Sequence, residues 1–298
     1  MNNLLSFKTL YDFALSEKVK LKIEKIILVI AMVSFLVHLA LIYLKKYTVL
    51  NLFQDSNFFD SPIAAIYTPF SFILIYEVYL LIFYLPRSIT TYITKQYEII
   101  TLIVIRRIFK DLSNLELSFN WFDIKNDIAF TYDIITALIL FFLIYVFSYL
   151  RESLDRDSSL SSVETSQIKQ FIRIKKIMAT FLIPIFIFIG LLTFGHWITD
   201  STPENFSAVL KDVNSLFFDE FFAVLIIVDV LLLLVSFFYT DQFHKVIRNS
   251  GFIISTILIR MSFSVDGVLN NILIFASIAF GLGILWIHNK FAKNLKLE

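Results

Sequence analysis

From Ile26 to Leu44 the chain carries no Asp, Glu, Lys or Arg, and apolar runs of similar length recur as far as Trp286. Such a run approaches the ~20 residues that an α-helix needs to cross a bilayer. Lipid offers no hydrogen bonds, so the backbone of each run must satisfy itself as a helix. Composition agrees: 58% of residues are hydrophobic, 17% are charged, and mean hydropathy is +0.77. The expected class is an all-α integral membrane protein.

Two stretches within these runs read almost alike, Ile99–Arg106 and Ile253–Arg260, with five of eight positions identical. Their surroundings match too. Glu77 precedes Arg106 by 29 residues and Asp229 precedes Arg260 by 31, while the Lys22–Ile26 block is echoed at Arg173–Ile177. The spacing between halves stays near 151 to 154 residues. This pattern predicts a duplication: a first four-helix repeat over 1–150, a linker over 151–168, and a second repeat over 169–298.

About eight spans are expected. They run near 26–44, 67–85, 89–109, 133–150, from 169 to about 193, then 219–239, 244–264 and 268–286. The fifth is read as interrupted at Pro184 and Gly190. A short interfacial helix over 4–16 precedes them, with Leu4, Phe7, Tyr11 and Leu15 on one face; packing on the inner end of the bundle would produce the same pattern. The third segment is the least apolar, carrying Thr90, Thr91, Thr94, Lys95, Gln96 and Glu98. Lipid would reject that face, so neighbouring helices or water must shield it. The seventh repeats the design, with Lys245, Arg248, Asn249 and Ser250.

Eighteen Lys and Arg fall on the inner side of this topology and eight on the outer. Positive residues stay cytoplasmic, so both termini and the 151–168 linker are expected inside, in a bacterial-type inner membrane. Outer connections are expected over 45–66, 110–132 and 196–218. An even number of spans per repeat gives the halves one orientation, related by an axis along the membrane normal.

Glu77 and Asp229 stand near the middle of the second and sixth spans. A central charge costs about 2.5–3.5 kcal/mol on insertion scales, so each needs a reason. One reading makes them ion or proton sites. Another pairs them with Lys95 and Arg248 to fix helix packing. A third leaves the carboxyls protonated by burial. Glu98 adds a second carboxylate at the depth of Glu77 in the first half alone. Arg106, Arg107 and Arg260 are expected near the outer headgroups, where long cationic side chains snorkel.

Other chemistry is excluded by composition. With no cysteine there are no disulfides and no thiolate metal sites. The four histidines form no metal-ligand motif, and no phosphate-cradling Gly-rich loop or G-x-S-x-G elbow occurs. A voltage sensor would need an arginine ladder, and the fourth span has none. No catalytic residue, metal or cofactor is expected. The net charge of +1 gives no sign of nucleic acid. The expected partners are the bilayer and a small ion or solute, with a homo-oligomer compatible with the chain. The function expected is an ion channel or small-solute transporter with its path between the halves; the alternative is a membrane scaffold or regulatory subunit whose buried charges are structural.

Overall fold

The computed structural model describes residues 11–47, 62–112, 125–158, 166–200, 206–239, 242–265 and 267–294. Among them are eight α-helices: α1 Glu17–Lys46, α2 Tyr67–Tyr84, α3 Ile89–Leu112, α4 Lys125–Ser158, α5 Ser166–Asp200, α6 Phe206–Tyr239, α7 Phe243–Ser262 and α8 Val268–Asn294. A 3-10 segment, Pro62–Ile66, leads into α2. The interfacial helix expected over 4–16 lies mostly outside the described residues, although 11–15 are helical.

Local chemistry sets several ends. Ser16 caps α1 by accepting from the Val19 N–H at 3.4 Å. Glu17 in the first turn and Lys45 and Lys46 in the last complement the helix dipole. α2 stops just ahead of Pro86, whose ring disfavours helical geometry in the residue before it. The α7–α8 turn passes through Gly267 at φ 73°, a left-handed conformation that glycine adopts without steric cost.

Among the described residues five helices are long and apolar enough to cross a membrane, over Glu17–Lys46, Asp127–Glu152, Ile168–Thr193, Glu220–Tyr239 and Val268–Asn294; Thr68–Tyr84 is a shorter apolar helix. α3 and α7 do not meet that standard, for the reason their sequences foretold. They carry polar residues, and several of these are inside. Thr94, Gln96 and Thr101 on α3, and Asn249, Ser255 and Thr256 on α7, are all buried. α1 and α4 are built the other way round. Met32, Leu36 and Val37 on α1, and Leu138, Phe142 and Tyr145 on α4, are exposed. Polar inside and apolar outside suits a lipid surround rather than water.

Three expectations are corrected. α5 runs unbroken through Pro184 and Gly190, since apolar surroundings leave a proline helix few alternatives and its neighbours can re-satisfy the freed backbone. The linker expected over 151–168 is largely helix, because α4 continues to Ser158 and α5 begins at Ser166. That stretch has no Gly or Pro, and Glu152 precedes Arg156 by four residues, an order that favours helix. The outer loop expected over 196–218 is also mostly helical, because α5 reaches Asp200 and α6 starts at Phe206. Phe206, Val209, Val213 and Leu216 keep the helical period there.

The chain forms two compact units, and each draws on both sequence halves. One comprises 1–83, 103–131 and 180–221; the other comprises 84–102, 132–179 and 222–298. In the first, Ile42 and Ala65 pack with Phe35, Leu39 and Leu41, Phe70 stacks on Phe109 at 4.8 Å, and the Tyr76 hydroxyl donates to Glu24 at 2.7 Å. The second holds all of α7 and α8, with Phe147 set between Tyr97 at 5.1 Å and Phe252 at 5.7 Å.

Candidate functional site: a buried charge network

The second unit buries a complete ion pair. Asp229 on α6 is 0% exposed and Arg260 on α7 is 3% exposed, with Arg260 Nη1 2.6 Å from Asp229 Oδ2. Nη1 makes no well-aligned hydrogen bond, so this contact acts as charge on charge. The remaining bonding comes from neutral groups. The Tyr92 hydroxyl donates to Asp229 Oδ1 at 2.9 Å. The Thr256 hydroxyl lies 3.1 Å from Oδ2 and 2.9 Å from its own helix's Ile253 carbonyl, and its single proton serves one at a time. Arg260 Nη2 donates to Gln96 Oε1 at 3.0 Å.

These residues meet because α3, α6 and α7 each contribute an inward stripe. Tyr92 and Gln96 are four apart on α3, and Thr256 and Arg260 are four apart on α7, so each pair lies on one helix face. Asp229 sits opposite both. A buried pair is tolerated only when its other lone pairs and protons are met, and Tyr92, Thr256 and Gln96 supply that. Gln96 Nε2 is left buried without a partner.

Toward the start of α3 lies a second buried cation. Lys175 on α5 is 2% exposed, donates to the Arg87 carbonyl, and stands 5.3 Å from the Phe171 ring. A cavity of about 10 Å³ beside it is lined by Lys175, Tyr92, Ser236 and Asn249 among apolar neighbours. That volume is at the threshold for one water. On the other side of α3 the Tyr97 hydroxyl is 2.7 Å from Ser255 Oγ, which donates to the Ser277 carbonyl at 2.6 Å.

The expected partners of Asp229 and Glu77 need correcting. Arg248 does not pair with Asp229; it contacts Asn249 and His288. Lys95 bonds Glu98 one turn along its own helix, at 2.6 Å, in a half-exposed pair. Glu98 is thereby engaged locally. Arg260 does not snorkel, because Asp229 supplies a buried counter-charge. In the first unit, Glu77 is 4% exposed and has one carboxylate oxygen without a hydrogen bond. The charge that bears on it is that of Arg106. Arg106 and Arg107 are half-buried.

Asp229 thus pairs with the arginine that ends the second of the two similar stretches, and the charge of the arginine that ends the first acts on Glu77. The sequence contained that signal in the parallel spacings, 29 and 31 residues, of Glu77–Arg106 and Asp229–Arg260. Depth alone points to Lys95 and Arg248, although Lys95 aligns with Asn249 and not with Arg248. Tyr92, Gln96, Thr256 and Lys175 had no comparable signal, since single polar residues in a helix do not announce which neighbour they face. No protein-family model, curated protein or solved structure matches this chain.

Proposed function

We propose that the protein moves a proton or a small cation across a membrane along the polar stripe of α3, α6 and α7, with the Asp229–Arg260 pair as its gate. The observation that supports this reading is the file of polar groups inside one unit: Lys175, the small cavity, Tyr92, Asp229, Arg260 and Gln96. Tyr92 borders the cavity and also donates to Asp229, so a hydroxyl rotation would connect the two. A purely structural ion pair needs neither Lys175 nor the cavity beside it. The test is flux through purified protein in liposomes under a proton or cation gradient. Wild type is expected to conduct, and Lys175→Met and Tyr92→Phe are each expected to cut the flux at least tenfold while the protein still folds. If neither protons nor monovalent cations move, the transport reading fails.

The scaffold reading is favoured by one feature, the engagement of both Asp229 oxygens. It predicts that an apolar replacement of the pair leaves every cellular role intact.

The orientation proposed has eight spans in two like-oriented repeats, with both termini and the 151–168 region cytoplasmic. The chain has no native cysteine, so single cysteines report sidedness cleanly. Ser56→Cys is expected to react with an impermeant thiol reagent on intact cells. Ser161→Cys is expected to react only after permeabilisation; its labelling from outside would refute the eight-span topology.

A further inference from the structure

At the start of α7 and the end of α8 the second unit gathers cationic side chains around an arginine with no acid beside it. Arg248 donates from Nε and Nη2 to Asn249 Oδ1 at 3.2 and 3.0 Å, and its Nη1 is 3.3 Å from His288 Nε2. Both partners are neutral when accepting. His288 Nδ1 faces the His244 carbonyl at 3.3 Å, so the proton belongs on Nδ1 and Nε2 is left to accept from the guanidinium. The His244 and His288 rings stack, 5.3 Å apart at 22°. The charges of Lys245 and Arg248 bear on both rings. Among the described residues no carboxylate pairs with Arg248.

This differs from Arg260, Lys95 and Arg106, while the buried Lys175 is met by the Arg87 carbonyl rather than by an acid. Arg260 has Asp229, Lys95 has Glu98, and Arg106 is within electrostatic reach of Glu77. A guanidinium withdrawn from water without a counter-charge is costly, and here a lysine adds to that charge. The first turn of α7 contributes in the same sense through the positive end of its helix dipole, although its Lys245 and Val246 amides are already bonded to the Gln242 carbonyl. The same end of α8 carries Lys290, 5.7 Å from the Trp286 ring, an aromatic–basic pairing typical of the headgroup level.

We propose that Arg248, Lys245 and the stacked His244–His288 pair form a binding site for a phosphate group, carried by an acidic lipid headgroup or by free phosphate. The planar guanidinium suits two phosphate oxygens, and Lys245 adds a point charge. The ligand supplies a negative charge that no described residue places beside Arg248. The site touches the cavity beside the Asp229 network only through Asn249 and stands whether or not the protein transports an ion.

The test uses the full chain in neutral detergent, titrated with dioctanoylphosphatidic acid, with dioctanoylglycerol as the phosphate-free control, and with inorganic phosphate. Thermal stability reports binding by mass action. Phosphatidic acid is expected to raise Tm saturably and dioctanoylglycerol is not. Arg248→Gln and Lys245→Gln are each expected to weaken the apparent affinity about fivefold, the usual weight of one basic residue near an acidic headgroup. Lys245 is only half-buried, so its variant remains a fair test even if Arg248→Gln fails to fold. Saturation by inorganic phosphate that competes with phosphatidic acid assigns the site to the free anion, and phosphatidic acid binding without such competition assigns it to lipid. Equal responses to phosphatidic acid and dioctanoylglycerol, or undiminished binding in Lys245→Gln, would overturn the site.

Discussion

Arg260→Met alone is expected to destabilise the protein by about 3–5 kcal/mol, because it leaves the Asp229 carboxylate buried with its counter-charge gone. Asp229→Leu should cost a similar amount by stranding the guanidinium. The double variant Asp229→Leu/Arg260→Met should recover most of either loss, since apolar groups of similar bulk in place of a buried pair are often neutral or better. Both side chains are almost fully enclosed, so water offers no relief to a lone survivor. Arg248 provides the control. It makes no contact with Asp229, so Arg248→Met combined with Asp229→Leu should be additive within about 0.5 kcal/mol. Unfolding in mixed micelles measures all of these on one scale. Additive losses at Asp229 and Arg260, without rescue, would show that the pair does not couple.

Gly281→Ala should be the most damaging small substitution in the chain's last helix. A Cβ there would lie 1.8 Å from the Tyr97 hydroxyl oxygen, 3.0 Å from Tyr97 Cζ and 3.1 Å from Ser255 Oγ. Tyr97 cannot swing aside, being fully buried, packed against Phe147 and hydrogen-bonded to Ser255. Forcing a methyl into such a place costs about 1–3 kcal/mol and at times more. Tyr97→Phe removes the nearest obstructing atom, so Gly281→Ala should be less harmful in that background than in the parent. Gly283 lies two residues on with nothing within 4 Å of its built Cβ. Gly283→Ala should therefore be neutral or stabilise by about 0.5–1 kcal/mol, the ordinary gain at a helix interior. Equal effects at 281 and 283 would mean that α8 does not approach Tyr97 as described.

The two predictions share a cause. α3 and α7 are too polar to face lipid, so they pair their hydroxyl, amide and charged groups with each other and with α6 and α8. Gly281 admits the Tyr97 ring, and the Tyr97 hydroxyl reaches Ser255. Asp229 meets Arg260 from a different helix, and Tyr92 and Gln96 on α3 complete the set. Truncating any member leaves a polar group in a dry interior, where it costs more than its bond contributes.

Helical class, apolar spans and shielded third and seventh segments were legible from order of residues alone, because lipid constrains them locally. Each apolar run must close its own backbone bonds, and each polar run must be kept from lipid whatever its neighbours are. Helix ends were less legible. Ser158 and Phe206 carry helices into stretches that charge and serine content marked as loops, because composition reports solvation rather than backbone geometry. Partner choice lay further out of reach. Sequence put Glu77 and Asp229 in apolar spans and required that something answer them, but the guess by depth chose Lys95 and Arg248. Only the packing of α6 against α7 brings Asp229 to Arg260, and only the face of α3 turned toward them adds Tyr92 and Gln96. A periodic pattern fixes which residues share a face of one helix; which face meets which is set by side-chain volumes and close approaches such as Gly281 on Tyr97, and these exist only once the helices are assembled.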